Sequence, residues 1–170
     1  MPRYVYRLQP ALAVAFGAEY GPGEWILRLR ACSEAFSVAL HLTRQQALSL
    51  GKAMLDAGRS FADNRFPPGT VAPCRPDSPL LSQPLDLESG AEHLRVLRHR
   101  QKRLLAIEAS GHVDSAPFMA EIWATPEQLI ALAGQIEDTC AQTGHHCPVC
   151  GSRIEGDQHQ CRPAGPPPEH

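Results

Sequence analysis

The sequence predicts an α+β protein made of two similar halves, each with an antiparallel sheet whose strands are followed by a covering helix. Short runs of alternating apolar and polar residues predict the strands, and two later segments with apolar residues at helical spacing predict the helices. The order of strands first and helix second, repeated along the chain, is what favours the α+β class.

Two segments carry the evidence for a pseudo-repeat. "FSVALHLTRQQALSLGKAMLD" begins at Phe36 and "FMAEIWATPEQLIALAGQIED" begins at Phe118, and they align without gaps at an offset of 82 (118 − 36). In each, a strand-like run ends in a Thr that is followed three residues later by a Gln, which is the pattern of a helix capping box. We therefore expect helices to begin after Thr43 and Thr125.

The remaining strand-like runs precede these segments. They are "RYVYRL", "LAVAFGA" and "WILRLRAC" in the first half, and "LRVLRHR" and "RLLAIEAS" in the second. Residues 111–117 are expected to form the turn before the last strand. Pro67, Pro68, Pro73 and three further prolines interrupt residues 58–92, so this segment is predicted to be a loop or linker.

Composition excludes some function classes and leaves others open. The net charge of −2 gives no general reason to expect a nucleic acid or an acidic membrane as partner. No window approaches the roughly 18 consecutive apolar residues of a membrane span. The N-terminal "MPRYVYRLQP" lacks the apolar core of a secretory signal, so a cytoplasmic location is expected.

The stretch "HHCPVCGSRIEGDQHQC", residues 145–161, has the spacing of a metal site. Cys147 and Cys150 are separated by two residues and followed by a Gly, and His159 and Cys161 supply a second ligand pair. A Cys3His set fills the tetrahedral shell of a structural zinc ion, so the sequence predicts one structural zinc in a small ribbon or knuckle.

Two alternatives to this ligand set stay open. His145 or His146 can replace His159, and Cys147 and Cys150 can instead form a redox pair. The predicted organisation is then a first half at 1–57, the proline-rich segment at 58–92, a second half at 93–143, the zinc-binding motif at 144–162 and a disordered tail at 163–170.

One basic run stands out from an otherwise balanced chain. It consists of Arg95, Arg98, Arg100, Lys102 and Arg103. Along the edge of a sheet these cations can meet phosphates, which makes nucleic acid a candidate partner. The competing interpretation is a solvated rim whose charges keep a sheet edge from aggregating.

The order of these motifs resembles an uncharacterised, mainly actinobacterial family, the domain of unknown function 3090 family. The resemblance rests on "VYRLQP", "GPGEWILRLRA", "TRQQALSLGKAMLD", "LRVLR…LLAIEAS" and the final "CPVCG…H-x-C", and it covers nearly the whole chain. The resemblance implies the zinc motif, and it assigns no activity to the chain. Members of the family are often encoded beside histidine-phosphatase-like and kinase-like proteins, but that association does not show what the chain does. Gln158 and Arg162 depart from the Gly and Pro that are common there, and neither departure removes a ligand.

Three functions remain as hypotheses from the sequence. The first is a non-enzymatic, zinc-binding adaptor or regulator that contacts another protein. The second is a single-stranded nucleic-acid-binding module that uses the sheet and the basic run 95–103. The third is an enzyme of unknown type, for which the chain carries neither a phosphate-binding loop nor a dinucleotide fingerprint. The partner's identity and the oligomeric state stay open.

Overall fold

The computed structural model describes residues 2–21, 25–61, 77–99 and 101–143. Within that part of the chain lie eight strands and two α-helices, which confirms the predicted α+β class. Their bounds are β1 Tyr4–Leu8, β2 Ala13–Tyr20, β3 Trp25–Cys32, β4 Ser37–Leu42, α1 Arg44–Arg59, β5 Leu87–Gly90, β6 His93–Arg98, β7 Leu105–Val113, β8 Ala116–Ala124 and α2 Pro126–Gln142. A short 3₁₀ helix, Pro79–Leu81, precedes β5.

The strands form two four-stranded sheets, which we call sheet A, in the order β1-β8-β7-β6, and sheet B, in the order β2-β3-β4-β5. The prediction of antiparallel sheets is confirmed for three consecutive strands of each sheet, whereas the fourth strand is parallel in both: β1 runs parallel to β8 and β5 runs parallel to β4. We count β5, which directly precedes β6, with the second half; each half then sends its first strand into the sheet of the other half. The parallel pairs arise because such a strand joins its sheet through a long connection rather than a hairpin.

The same hydrogen bonds recur where each exchanged strand leads into the next strand. One backbone N–H donates to a carbonyl of the other half, and the N–H of the next residue donates to a carbonyl of its own half. The bonds are Ala11 N–H to Trp123 O (2.8 Å) and Leu12 N–H to Cys32 O (2.8 Å) in one half, and Ala91 N–H to His41 O (3.1 Å) and Glu92 N–H to Ser110 O (2.9 Å) in the other.

The two helices repeat each other as well. Both begin with a complete capping box, at Thr43 with Gln46 and at Thr125 with Gln128. The buried residues of α1 fall at an offset of 82 (126 − 44) from buried residues of α2. The pairs are Ala47 with Leu129, Leu50 with Leu132, Gly51 with Ala133, Met54 with Ile136 and Gly58 with Cys140. Equivalent positions thus have equivalent environments in the described structure.

The segment predicted as a proline-rich loop, residues 58–92, contributes regular structure at both of its ends. Its first residues complete α1, its last residues form the 3₁₀ helix and β5, and residues 62–76 lie outside the described part. Leu87 on β5 is buried against β4. A four-residue strand is missed because its hydrogen bonds come from a strand distant in sequence, and its own pattern is too short to read.

The turn expected at residues 111–117 is tighter than predicted. β7 continues to Val113 and pairs with Ala116, so only Asp114 and Ser115 form the turn. Both adopt positive φ, 48° and 65°, as a two-residue hairpin turn that follows the twist of the strands requires.

One hydrophobic core joins both halves. The largest cluster of buried residues includes side chains from both sheets and both helices. The helices cross closely at Gly51, where an added Cβ would lie 3.5 Å from Cγ2 of Ile136. In the described part of the chain, no helix is long and apolar enough to cross a membrane.

Candidate functional sites

The predicted zinc ligands Cys147, Cys150, His159 and Cys161 lie outside the described residues. The donor set itself fits zinc, because three thiolates and one imidazole complete a tetrahedral shell. Among the described residues, no group of three or more His, Cys, Asp and Glu side chains is arranged to hold a metal.

The end of α2, from which the motif continues, is tied to the start of α1. The guanidinium of Arg44 donates to the carbonyl of Cys140 in the last turn of α2, where a cation also complements the helix dipole. The thiol of Cys140 is buried, and burial raises its pKa. This thiol is therefore protonated at neutral pH and is a poor nucleophile.

The residues of the basic run have different interaction partners in the structure. Arg95 donates from Nε to Oε1 of Glu108 at 2.6 Å, and Arg103 lies 2.5 Å from Oε1 of Glu127. Arg98 instead places its guanidinium 4.1 Å from the ring centroid of Phe61. Lys102 is exposed in the turn after β6, and Arg100 lies outside the described residues. These cations do not form one row.

Arg95 belongs to a row of charges that crosses the outer face of sheet A. Glu108 and Glu121 stand opposite each other on β7 and β8, and Arg7 on β1 pairs with Glu121 at 2.8 Å. Like charges opposite each other destabilise a sheet, so the flanking arginines offset this repulsion. The hydrogen bond from Arg7 is the main cause that holds the pKa of Glu121 below its ordinary value.

Sheet B carries a comparable row with a cation at its centre. Arg28 lies 2.6 Å from Glu19 on β2 and 2.6 Å from Glu88 on β5. Nε2 of His41 lies 3.1 Å from the same Glu88 carboxylate. Each row therefore connects strands from both halves through largely satisfied ion pairs, which leaves less unpaired charge for a ligand.

A groove of about 400 Å³ lies between α1 and β6, and no sequence pattern predicted it. We call it the α1–β6 groove, and its lining includes Thr43, Gln45, Ser49, Ala53, Leu94 and Val96. At one end of the groove Gln46 on α1 connects the helix to the residues before β6, since its Nε2 donates to the carbonyl of Ala91 at 2.7 Å. The contact of Arg98 with Phe61 lies toward the other end, beyond Val96 on β6.

The groove borders an edge of sheet A, because among the described strands β6 pairs with β7 and with no other. Neither the edge position of β6 nor its proximity to α1 follows from the local sequence pattern. A periodic pattern shows which residues are buried, whereas strand order depends on pairings between distant segments.

Comparison with models of protein families finds none that matches the chain, and no curated protein matches it either. The resemblance to the domain of unknown function 3090 family therefore stays a prediction from the motifs.

Proposed function

We propose that this chain is a non-enzymatic zinc-binding protein that acts as an adaptor or regulator by contacting another protein. The observation that carries the proposal is the donor set of Cys147, Cys150, His159 and Cys161. Four protein ligands leave no open position for an activated water, so the ion would shape a surface rather than perform chemistry.

The body of the protein supports this proposal by giving the motif a fixed starting point. Arg44 bonds the last turn of α2, and Cys140 in that turn is buried in the core shared by both halves. A ribbon that continues from such an anchored helix can present a constant surface to a partner. The proposal includes a cytoplasmic location, where a reducing environment keeps the thiols available for zinc.

Metal analysis of the purified protein tests the zinc part of the proposal. We expect about one zinc per chain. The double variant Cys147→Ser/Cys150→Ser should lose it, whereas Cys74→Ser, at a cysteine outside the motif, should retain it. Full zinc content in the double variant would contradict the proposal. His159→Ala, compared with His145→Ala and His146→Ala, identifies the fourth ligand.

The protein-contact part has its own test. Tagged protein purified from the native host should carry the same associated protein in repeated preparations, and the association should fall in Cys147→Ser/Cys150→Ser. Purification of the chain without a reproducible associate would contradict this part and leave the zinc result unaffected.

A single-stranded nucleic-acid-binding function is the second proposal. Its support is that Trp123 and His99, whose ring centroids lie 5.4 Å apart, stand near the charge row of sheet A. The pairing of Arg95 with Glu108 weakens it, because a paired arginine contributes less to phosphate binding. Binding to single strands should fall with added salt and on Arg98→Gln/Arg100→Gln substitution; no binding at low salt excludes it.

A further inference from the structure

We propose that the α1–β6 groove is a docking site for an extended segment of a partner protein. The segment would add to β6 as a further strand and carry a carboxylate close to Arg98. This inference adds to the proposed function and rests on its protein-contact part, because it names a second contact surface, separate from the zinc motif, and the kind of segment that would bind there.

The backbone of β6 offers hydrogen bonds toward the groove. His99 donates its N–H to the carbonyl of Leu104 at 3.0 Å, and hydrogen-bonded pairs alternate along an antiparallel ladder. The N–H groups of Leu94 and Val96 therefore point away from β7. Neither has a hydrogen-bond partner among the described residues. Such an edge is a ready template for another strand.

The equivalent edge in the other half is closed by a side chain. The N–H of Phe16 on β2 donates to Oε1 of Gln135 on α2 at 2.9 Å. Phe16 lies four residues after Leu12, and Val96 lies four residues after Glu92, the two residues whose N–H groups make the equivalent bonds to Cys32 and Ser110 (16 − 12 = 96 − 92).

The helix positions correspond in the same way. Gln135 follows its N-cap Thr125 as Ala53 follows Thr43 (135 − 125 = 53 − 43). Where α2 has a glutamine that reaches the edge strand, α1 thus has an alanine whose side chain is too short to do so. The groove lies at the place where this side chain differs between the two helices.

The groove has the volume of a ligand pocket and short side chains on its helix side. Its volume of about 400 Å³ lies in the range of ligand pockets, which is about 300–1,000 Å³. Ser49 and Ala53 are exposed on the helix side, and their short side chains allow a peptide backbone to approach. Addition of a strand at a sheet edge takes its affinity from main-chain hydrogen bonds and its specificity from alternate side chains.

The charge at the end of β6 defines the partner further. Arg95 and Arg103 are paired with carboxylates, but Arg98 has no carboxylate partner within the described residues. Arg98 is exposed and lies on β6 two positions beyond Val96. A segment in the groove would therefore gain a charge-assisted contact from an Asp or Glu at this end.

A peptide selection on the full chain tests the inference. Random peptides displayed on phage are selected on the immobilised protein, and the binders are then synthesised and their affinities measured. We expect the binders to share an acidic position, and Arg98→Gln to weaken them about fivefold or more. Ala53→Gln, which copies the residue of α2, should weaken them at least about tenfold by occupying the edge. Lys52→Gln, the exposed neighbour, should leave them unchanged.

Amide exchange measured by NMR reports on the edge itself. In the protein alone, the amides of Leu94 and Val96 should exchange fast, and a selected peptide should protect both. Slow exchange of these amides without peptide would mean that the chain itself fills the groove, and a dimer that Ala53→Gln converts to monomer would mean that a second copy does.

Slow amide exchange without peptide, or a dimer that Ala53→Gln converts to monomer, overturns the inference. A selection that yields no binders also overturns it, as do binders whose affinity is unchanged by Ala53→Gln. A failure here leaves the zinc and co-purification results of the proposed function intact, so the two can be told apart.

Discussion

In each half of this protein a helix packs beside the edge strand of a sheet, but the hydrogen bonding of that edge strand differs between the two halves. At the α2–β2 interface, Gln135 accepts a hydrogen bond from the edge N–H of Phe16. At the α1–β6 interface, Ala53 stands at the equivalent place and a groove remains. The side chain at this position therefore distinguishes the two interfaces, because it bonds the edge strand in one half and is too short to do so in the other.

The largest expected effect tests whether the two halves are energetically equivalent. Leu50→Ala and Leu132→Ala remove the same buried side chain from equivalent positions of α1 and α2. Each should lower the free energy of unfolding by about 2–5 kcal/mol, because a buried leucine leaves a cavity when truncated. Urea denaturation measures this, with Leu48→Ala, an exposed position, as control. A cost below about 1 kcal/mol in only one half would break the equivalence.

A smaller effect is expected where the sheets meet. A Cβ added at Gly111 on β7 would lie 2.7 Å from the carbonyl oxygen of Gly90 on β5. Gly111→Ala should therefore destabilise the protein by about 1–3 kcal/mol. Gly90→Ala is the matched control, because an added Cβ there meets nothing within 4 Å. Equal thermal stability of both variants would show that the strand exchange does not constrain this contact.

Removal of the closing side chain should convert the closed interface toward the open one. Gln135→Ala leaves the N–H of Phe16 without its acceptor, so we expect a loss of about 1 kcal/mol in unfolding free energy and faster exchange of the Phe16 amide. Glu137→Ala, elsewhere on α2, should leave that amide unchanged. Unchanged exchange in Gln135→Ala would mean that the bond does not distinguish the two interfaces.

The smallest effect concerns the charge rows. Because Arg7 holds the pKa of Glu121 low, the pair stabilises the fold above the ordinary pKa of a glutamate. That contribution is lost as the pH falls through the lowered pKa of the folded state. Arg7→Gln should move the Glu121 pKa toward its ordinary value, as an NMR titration of the carboxyl group measures. Lys52→Gln is the control, and an unmoved titration would contradict the pairing.

The helices were readable from sequence because their signals are local. A Thr with a Gln three residues later places the capping box, and both capping boxes are present as predicted. The alternating runs likewise predicted seven of the strands, with ends that shift by a few residues. Of the zinc ligands, the donor types and spacing are readable from sequence, and their arrangement lies outside the described residues.

The sequence by itself determined the α+β class, the two capped helices and the matching of the two halves, because each depends on residues that are neighbours in the chain. Only the tertiary structure decided that β1 and β5 change sheets, that Arg95 and Arg103 are paired, and that the α1–β6 groove is open. Those features depend on contacts between residues far apart in sequence. Strand order, ion pairing and the space beside β6 are each set by the segment that packs alongside, which a local sequence pattern does not reveal.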